Sequence, residues 1–302
     1  MPSSRCRKSG RKGNAKENPR MAVNSASQSA ARFRRQSTAG PIASVFTGRD
    51  PYNPHVSPLR ETTVGVIGAG VMAEAIIAGL LERQLVAPSA VVASHPRADR
   101  RTFLQETHRV SVTDDNLEAA RRADVVVLGI KPQVMRRVLA EIAPALTADK
   151  LVISIIAGAS SETLRRALSH ESLVRVMPNT PAQIGAGMTI WFATPECTPR
   201  QRDQARALLQ ALGRELQVED ERFVAMATAV SGTGPTYVFL VMEALIDSAV
   251  HLGFPRHLAH DLVLETLRGS VAFAERSGKH PAQLRDMVTS PGGTSAAALH
   301  EL

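Results

Sequence analysis

Between residues 61 and 220 the apolar positions gather in short closed runs separated by stretches of helical period. Val64-Gly65-Val66-Ile67, Ala90-Val91-Val92-Ala93-Ser94, Val110-Ser111-Val112, Asp124 to Ile130, Leu151 to Ile156 and Leu173 to Met177 are the runs. Their length and β-branched content predict strands buried on both faces. Helical spacing follows the first run through Ile76, Ile77, Leu80 and Leu81, and the fifth through Leu164 and Leu168. Met188 to Phe192, after Gly185 and Gly187, suggests an added edge strand. Strand alternating with helix predicts an α/β fold with a doubly wound parallel sheet. From Glu221 the strand signal stops. Helices are predicted over Phe223–Val230, Thr236–Leu252, His257–Ser277, Pro281–Val288 and Ala296–Leu302, with a chain break at Ser231-Gly232-Thr233-Gly234-Pro235. The Thr236–Leu252 segment is apolar nearly all round and must be covered on most sides. A small helical domain cannot do that alone, so an interlocked homodimer is expected.

The first strand runs into Gly68-Ala69-Gly70-Val71-Met72-Ala73, a G-x-G-x-x-G/A pattern with strand before and helix after. That context makes it a dinucleotide fingerprint of the Rossmann type. Gly68 permits the tight turn, Gly70 the approach of a pyrophosphate, and Ala73 close packing of helix on strand. The amides of Val71 and Met72 open a helix whose N-terminus attracts phosphate. Where NAD-preferring chains carry an acid after the second strand, this one reads Ser94-His95-Pro96-Arg97. A hydroxyl and a guanidinium suit a 2′-phosphate, so NADPH is expected over NADH, with NADH possible. Lys131 and Pro132, then Asn179 and Thr180, stand at carboxyl ends of later strands, where such sheets bind ligands.

Charge changes the picture only once it is located. Residues 1–60 hold 12 Lys/Arg against 2 Asp/Glu, +10 of the total +8, which leaves −2 on 61–302. The folded body is near neutral, which argues against nucleic acid as its partner. The Ser-, Arg- and Pro-rich tail reads as disordered. A polyanion-binding arm and a transit-like segment compete there with an upstream extension of no role, and the last is favoured. No 18-residue apolar run is read, so no membrane partner is expected. Two cysteines, Cys6 and Cys197, and no H-x-H, H-E-x-x-H or C-x-x-C spacing fit a reducing cytoplasm and no metal site. The domain scheme is therefore tail 1–60, nucleotide domain 61–220 and helical domain 221–302.

Five motifs together carry a resemblance: GAGVMA at 68–73, GIKPQ at 129–133, MPNTP at 177–181, SGTGPTYVF at 231–239 and RDMVTSPGGTS at 285–295. Over about residues 61–302 the chain resembles pyrroline-5-carboxylate reductases. The resemblance implies NADPH-dependent reduction of the cyclic imine 1-pyrroline-5-carboxylate to L-proline. It also implies a helical dimerisation domain and dimers often built into larger rings. The basic tail has no counterpart in the family pattern, and family members usually continue past Leu302 with a further helix. Thr294 and Ser295, after Gly292 and Gly293, can cap a helix and offer hydroxyls and amides to a carboxylate. The resemblance implies the same assignment, across the dimer interface. Ser231 and Gly232 are expected to shape the pocket floor, and Asn179 and Thr180 to contact nicotinamide or ribose. Another NADP-dependent imine or β-hydroxyacid oxidoreductase, or a non-catalytic NADP-binding regulator, is the alternative reading. Hydroxyacid chemistry would want a general base such as Lys279 or His280.

Overall fold

The computed structural model describes residues 57–301. The reading of residues 1–56 as a basic tail lies outside the described residues. Ser57–Arg60, assigned above to that tail, belong instead to the folded body. Leu59 is fully buried in the main core, and the Pro58 carbonyl accepts from Gln204 Nε2 at 3.5 Å.

The strands are β1 (Val64–Ile67), β2 (Val91–Ser94), β3 (Ser111–Thr113), β4 (Val125–Leu128), β5 (Leu151–Ser154), β6 (Leu173–Met177), β7 (Gly187–Ala193) and β8 (Gly213–Gln217). Every residue of β1, β2, β4 and β5 is buried, which accounts for their unbroken apolar sequence. The eight form one sheet in the order β3-β2-β1-β4-β5-β6-β7-β8. Pairing is parallel from β3 through β6, with Val64 in register with Val91 and Val125. Helices cover both faces. Alternate residues such as Val125 and Val127 join one core with α1 (Val71–Glu82), α2 (Ala98–His108) and α6 (Pro199–Gln210). Val126 and Leu128 join a second core with α3 (Asn116–Arg122), α4 (Met135–Ile142) and α5 (Ser161–Leu168).

The sheet departs from the expected one at its far side. β7 runs antiparallel to β6 and is not an edge, because β8 pairs parallel beyond it. β8 reads Gly-Arg-Glu-Leu-Gln and has no fully buried residue, so it lacks the apolar run by which the others are recognised.

The expected chain break after α7 (Arg222–Ala227) does not occur. A π-helical turn over Thr228–Gly232 carries the chain directly into α8 (Gly234–His251). A π turn absorbs the extra residue without ending the helix. α9 (Arg256–Ser277) packs along α8, followed by α10 (Pro281–Met287) and α11 (Thr294–Glu301). α8 contains no buried residue, and Tyr237, Phe239, Leu240 and Val241 are each at least half exposed.

Candidate active site

Parallel pairing places the carboxyl ends of β1, β2, β4, β5 and β6 along one rim of the sheet. Gly68 takes φ +80° at the end of β1, in the left-handed region open to glycine, and a Cβ there would meet Ile130. Ile130 directly precedes Lys131 and Pro132, so the β1 and β4 loops touch. The N–H groups of Gly68 and Ala69 donate to the Ser94 carbonyl at 3.1 and 2.9 Å, which ties the glycine loop to the tip of β2. Ala73 is buried against the sheet, while Val71, at the first turn of α1, is exposed. Gly70 tests whether a dinucleotide fits. A Cβ at Gly70 would meet no protein atom, so packing does not demand glycine there. Space above that loop is what a pyrophosphate requires.

Ser94 lies differently from the expectation that its hydroxyl faces a 2′-phosphate. The side chain is fully buried, and its hydroxyl donates to Asn116 Oδ1 at 2.8 Å. Its carbonyl, not its hydroxyl, serves the loop. Arg97 stands exposed at the rim, paired with Asp99 at 3.2 Å. Burial, then the cations Arg97 and Arg100, holds His95 below the ordinary histidine range, so this ring is neutral at neutral pH.

A further group beside the loop was not foreseen. Arg100 donates through Nε to the Ala69 carbonyl at 3.0 Å and pairs with Glu74 at 2.5 Å, and His108 reaches the same carboxylate at 3.3 Å. The guanidinium also lies 5.1 Å from the centre of the Phe103 ring. Arg100 therefore clamps the back of the glycine loop through the Ala69 carbonyl. The only signal in the sequence is one more basic residue on an amphipathic helix, which is too common to single out.

At the β6 end, Asn179 does not point freely into the cleft. Its Nδ2 donates to the Ser231 carbonyl at 3.1 Å, and its Oδ1 accepts from Met188 N at 2.9 Å. Thr180 opens a short 3-10 turn, Thr180–Ile184, that packs against α1. The same region holds a second unforeseen cluster. Glu221 accepts from Ser161 N and Arg175 Nη1, each at 2.7 Å, and from the Ser161 hydroxyl. Its carboxylate caps α5 and roots α7 in the sheet. Burial pushes this carboxyl upward, but the Ser161 hydroxyl and amide and then Arg175 outweigh it and hold it below the ordinary glutamate range.

The structure thus brings together Gly68–Ala73, Arg97, Lys131–Pro132, Asn179–Thr180 and, through α7, Ser231–Gly232. The helix that begins at Thr294 and Ser295, α11, makes no extensive contact with any other described element. Gly292 has φ +67°, and Gly293 presses on Ser290 so closely that a Cβ would strike its hydroxyl. The Gly293 carbonyl accepts from Ala297 N as α11 begins, and Thr294 is exposed.

Known proteins match both halves. Residues 63–158 match the family described as NADP oxidoreductase, coenzyme F420-dependent. Residues 221–302 match pyrroline-5-carboxylate reductase dimerisation. The curated pyrroline-5-carboxylate reductase of Synechocystis is 43% identical over 78% of this chain and 88% of its own length. The chain belongs to the pyrroline-5-carboxylate reductase family. Solved structures of the family agree. The pyrroline-5-carboxylate reductase of Coxiella burnetii is 35% identical, with TM-score 0.72 over 79% of this chain and 89% of that one. That of Plasmodium falciparum, solved with NADP bound, is 31% identical, with TM-score 0.74 over 80% and 90%. A Streptomyces aurantiacus imine reductase, 20% identical with TM-score 0.51, shares the fold alone. Membership gives the bare face of α8 a meaning. By length and composition Arg222–His251 could cross a membrane, yet it lies inside the region matched to family dimerisation.

Proposed function

We propose that this family member reduces the C=N bond of 1-pyrroline-5-carboxylate to the amine of L-proline, the last step of proline biosynthesis. The observation that carries the reading is the meeting of two unlike parts at one rim. The glycine loop stands at the carboxyl end of β1, and the Ser231–Gly232 turn of the helical domain is tied through Asn179 to the carboxyl end of β6 on the same rim, with β4 and β5 between. Bound over Gly70, reduced NADPH supplies the hydride. The protein's own part is positioning and electrostatics. The N–H groups of Val71, Met72 and Ala73 at the start of α1 receive the pyrophosphate. Arg97 is the group suited to the 2′-phosphate once it leaves Asp99. Lys131 and Pro132 line the nucleotide side, and Thr180 stands farther along the rim, after β6.

Ser231 and Gly232 form the substrate side of the cleft. Thr294 and Ser295, with Gly292 and Gly293 before them, hold the ring carboxylate with hydroxyls and helix-terminal amides. The lack of extensive contact between α11 and any other described element supports a second copy as the supplier. Exposed Tyr237, Phe239, Leu240 and Val241 support the same homodimer, and larger homo-oligomers can be assembled from it. A second copy also suits the face better than lipid, and the near-neutral body suits neither membrane nor nucleic acid. Cys197 is a buried free thiol, consistent with a cytoplasmic protein. Among the described residues no cluster of His, Cys, Asp and Glu could hold a metal.

The hydroxyacid alternative finds little support at its candidate base. His280 Nδ1 accepts from Ala282 N at 3.2 Å as the cap of α10, and Lys279 Nζ lies beside Met287 Sδ. The deciding experiment follows NADPH oxidation with pyrroline-5-carboxylate beside hydroxyacids and other cyclic imines. Turnover confined to pyrroline-5-carboxylate is expected, and turnover of a hydroxyacid instead would refute the reading. Gly293→Val should abolish turnover while NADPH affinity stays, whereas a non-catalytic regulator would be indifferent.

A further inference from the structure

The Ser231 carbonyl is an orphan by sequence. In a helix it would accept from the N–H four residues on, but that residue is Pro235, which has none. The next N–H, that of Thr236, donates instead to the Thr233 carbonyl at 2.9 Å. A half-buried carbonyl left so would cost free energy. Asn179 supplies the missing donor from another domain, at 3.1 Å. Asparagine at the start of a turn ordinarily caps that turn, and here no side-chain cap bond is made. The amide instead reaches across, with its oxygen pinned by Met188 N at the head of β7. Beside it Met177 fills the space against Gly232, where a Cβ would come within 2.6 Å of Met177 Cε.

We propose that Asn179 is a positioning residue that latches the Ser231–Gly232 turn to the nucleotide rim and fixes the span the hydride must cross. It contacts neither nucleotide nor substrate. The two ends of its amide set the seat of the π turn, and Pro235 creates the need for it. This rests on reading Ser231–Gly232 as the substrate side.

The test is Asn179→Ala and Asn179→Asp, the second keeping the acceptor for Met188 but facing Ser231 with an oxygen. Expected is a fall in kcat of roughly 100-fold, the loss a displacement of about 1 Å can cause. NADPH affinity by fluorescence titration stays within about twofold, and amides 228–236 exchange hydrogen faster than in the wild type. Pro235→Ala returns an N–H to the Ser231 carbonyl, so in that background Asn179→Ala should cost under about tenfold in kcat. A tenfold loss of NADPH affinity with kcat unchanged would make Asn179 a nucleotide contact and overturn the latch. Unaltered exchange at 228–236 would overturn it as well. The exchange readout holds whatever the substrate, so a wild type inert toward pyrroline-5-carboxylate would sink the functional reading and leave the latch to be judged separately.

Discussion

Glu221→Gln isolates the junction between the two domains. The glutamine keeps the shape and still offers an oxygen to the Ser161 amide, but it removes the charge that faces Arg175 at 2.7 Å. The two side chains are 23% and 11% exposed, so screening by water is weak and Arg175 is left without its counter-charge. Loss of a charged hydrogen bond, together with part of the penalty for a stranded cation, amounts to about 2–3 kcal/mol. For a body of this size each kcal/mol moves Tm by roughly 2–4 °C, which gives a fall of roughly 4–12 °C at pH 7. Calorimetry or circular dichroism reads it. The sign of the pH dependence follows from the carboxyl being held below its ordinary range. Such a group stabilises fully above the unfolded glutamate value, about 4.3, and the benefit disappears as pH falls through the lower folded value. The gap between wild type and Glu221→Gln should therefore be constant from about pH 5 to 8 and close in acid. A Tm within about 1 °C of wild type at pH 7, or a gap that persists undiminished into strong acid, would refute the reasoning.

Gly70→Val should leave Tm within about 1 °C, because its Cβ meets no protein atom, and should weaken NADPH binding by a hundredfold or more; tight binding by the variant in titration would contradict the cradle. Arg97→Ala should weaken NADPH about 10- to 100-fold and leave NADH nearly untouched, since a charged hydrogen bond of about 1.5–3 kcal/mol is lost. Equal loss for both nucleotides would remove Arg97 from phosphate recognition. Deleting residues 1–56 should leave turnover unchanged, whereas a deletion that also removes Leu59 should lower Tm by several degrees, because that side chain is fully buried.

Much of the sheet is legible in the sequence, for a simple reason. β1, β2, β4 and β5 are buried on both faces, so apolar residues stand at every position and the runs cannot be mistaken. β8 is missed because an edge strand needs little burial, and Arg214, Glu215 and Gln217 read as loop. The Gly68–Ala73 loop is legible because glycine spacing reports backbone geometry directly. The clamp on it by Arg100 is not, since Arg100 and Glu74 are 26 positions apart and either alone looks like a surface charge. Ser231–Pro235 reads as a break because Gly and Pro ordinarily end helices, and a local pattern cannot show that a π turn carries the chain through. Glu221 carries no sign at all before folding sets it against α5. Asn179 stands out in the sequence, but its partner, the Ser231 carbonyl, lies 52 positions away and becomes visible only in three dimensions.

The uncovered flank of α8 makes protein concentration a thermodynamic variable for this chain. In the proposed homodimer, association would remove Tyr237, Phe239 and Leu240 from water, so mass action would link the melting of the helical half to how much protein is present. Dilution should loosen that half first, while the sheet, with its own two cores, keeps its shape. If a second copy supplies Thr294 and Ser295, as proposed, a dilute chain would still bind nucleotide yet turn nothing over, and catalysis would count neighbours.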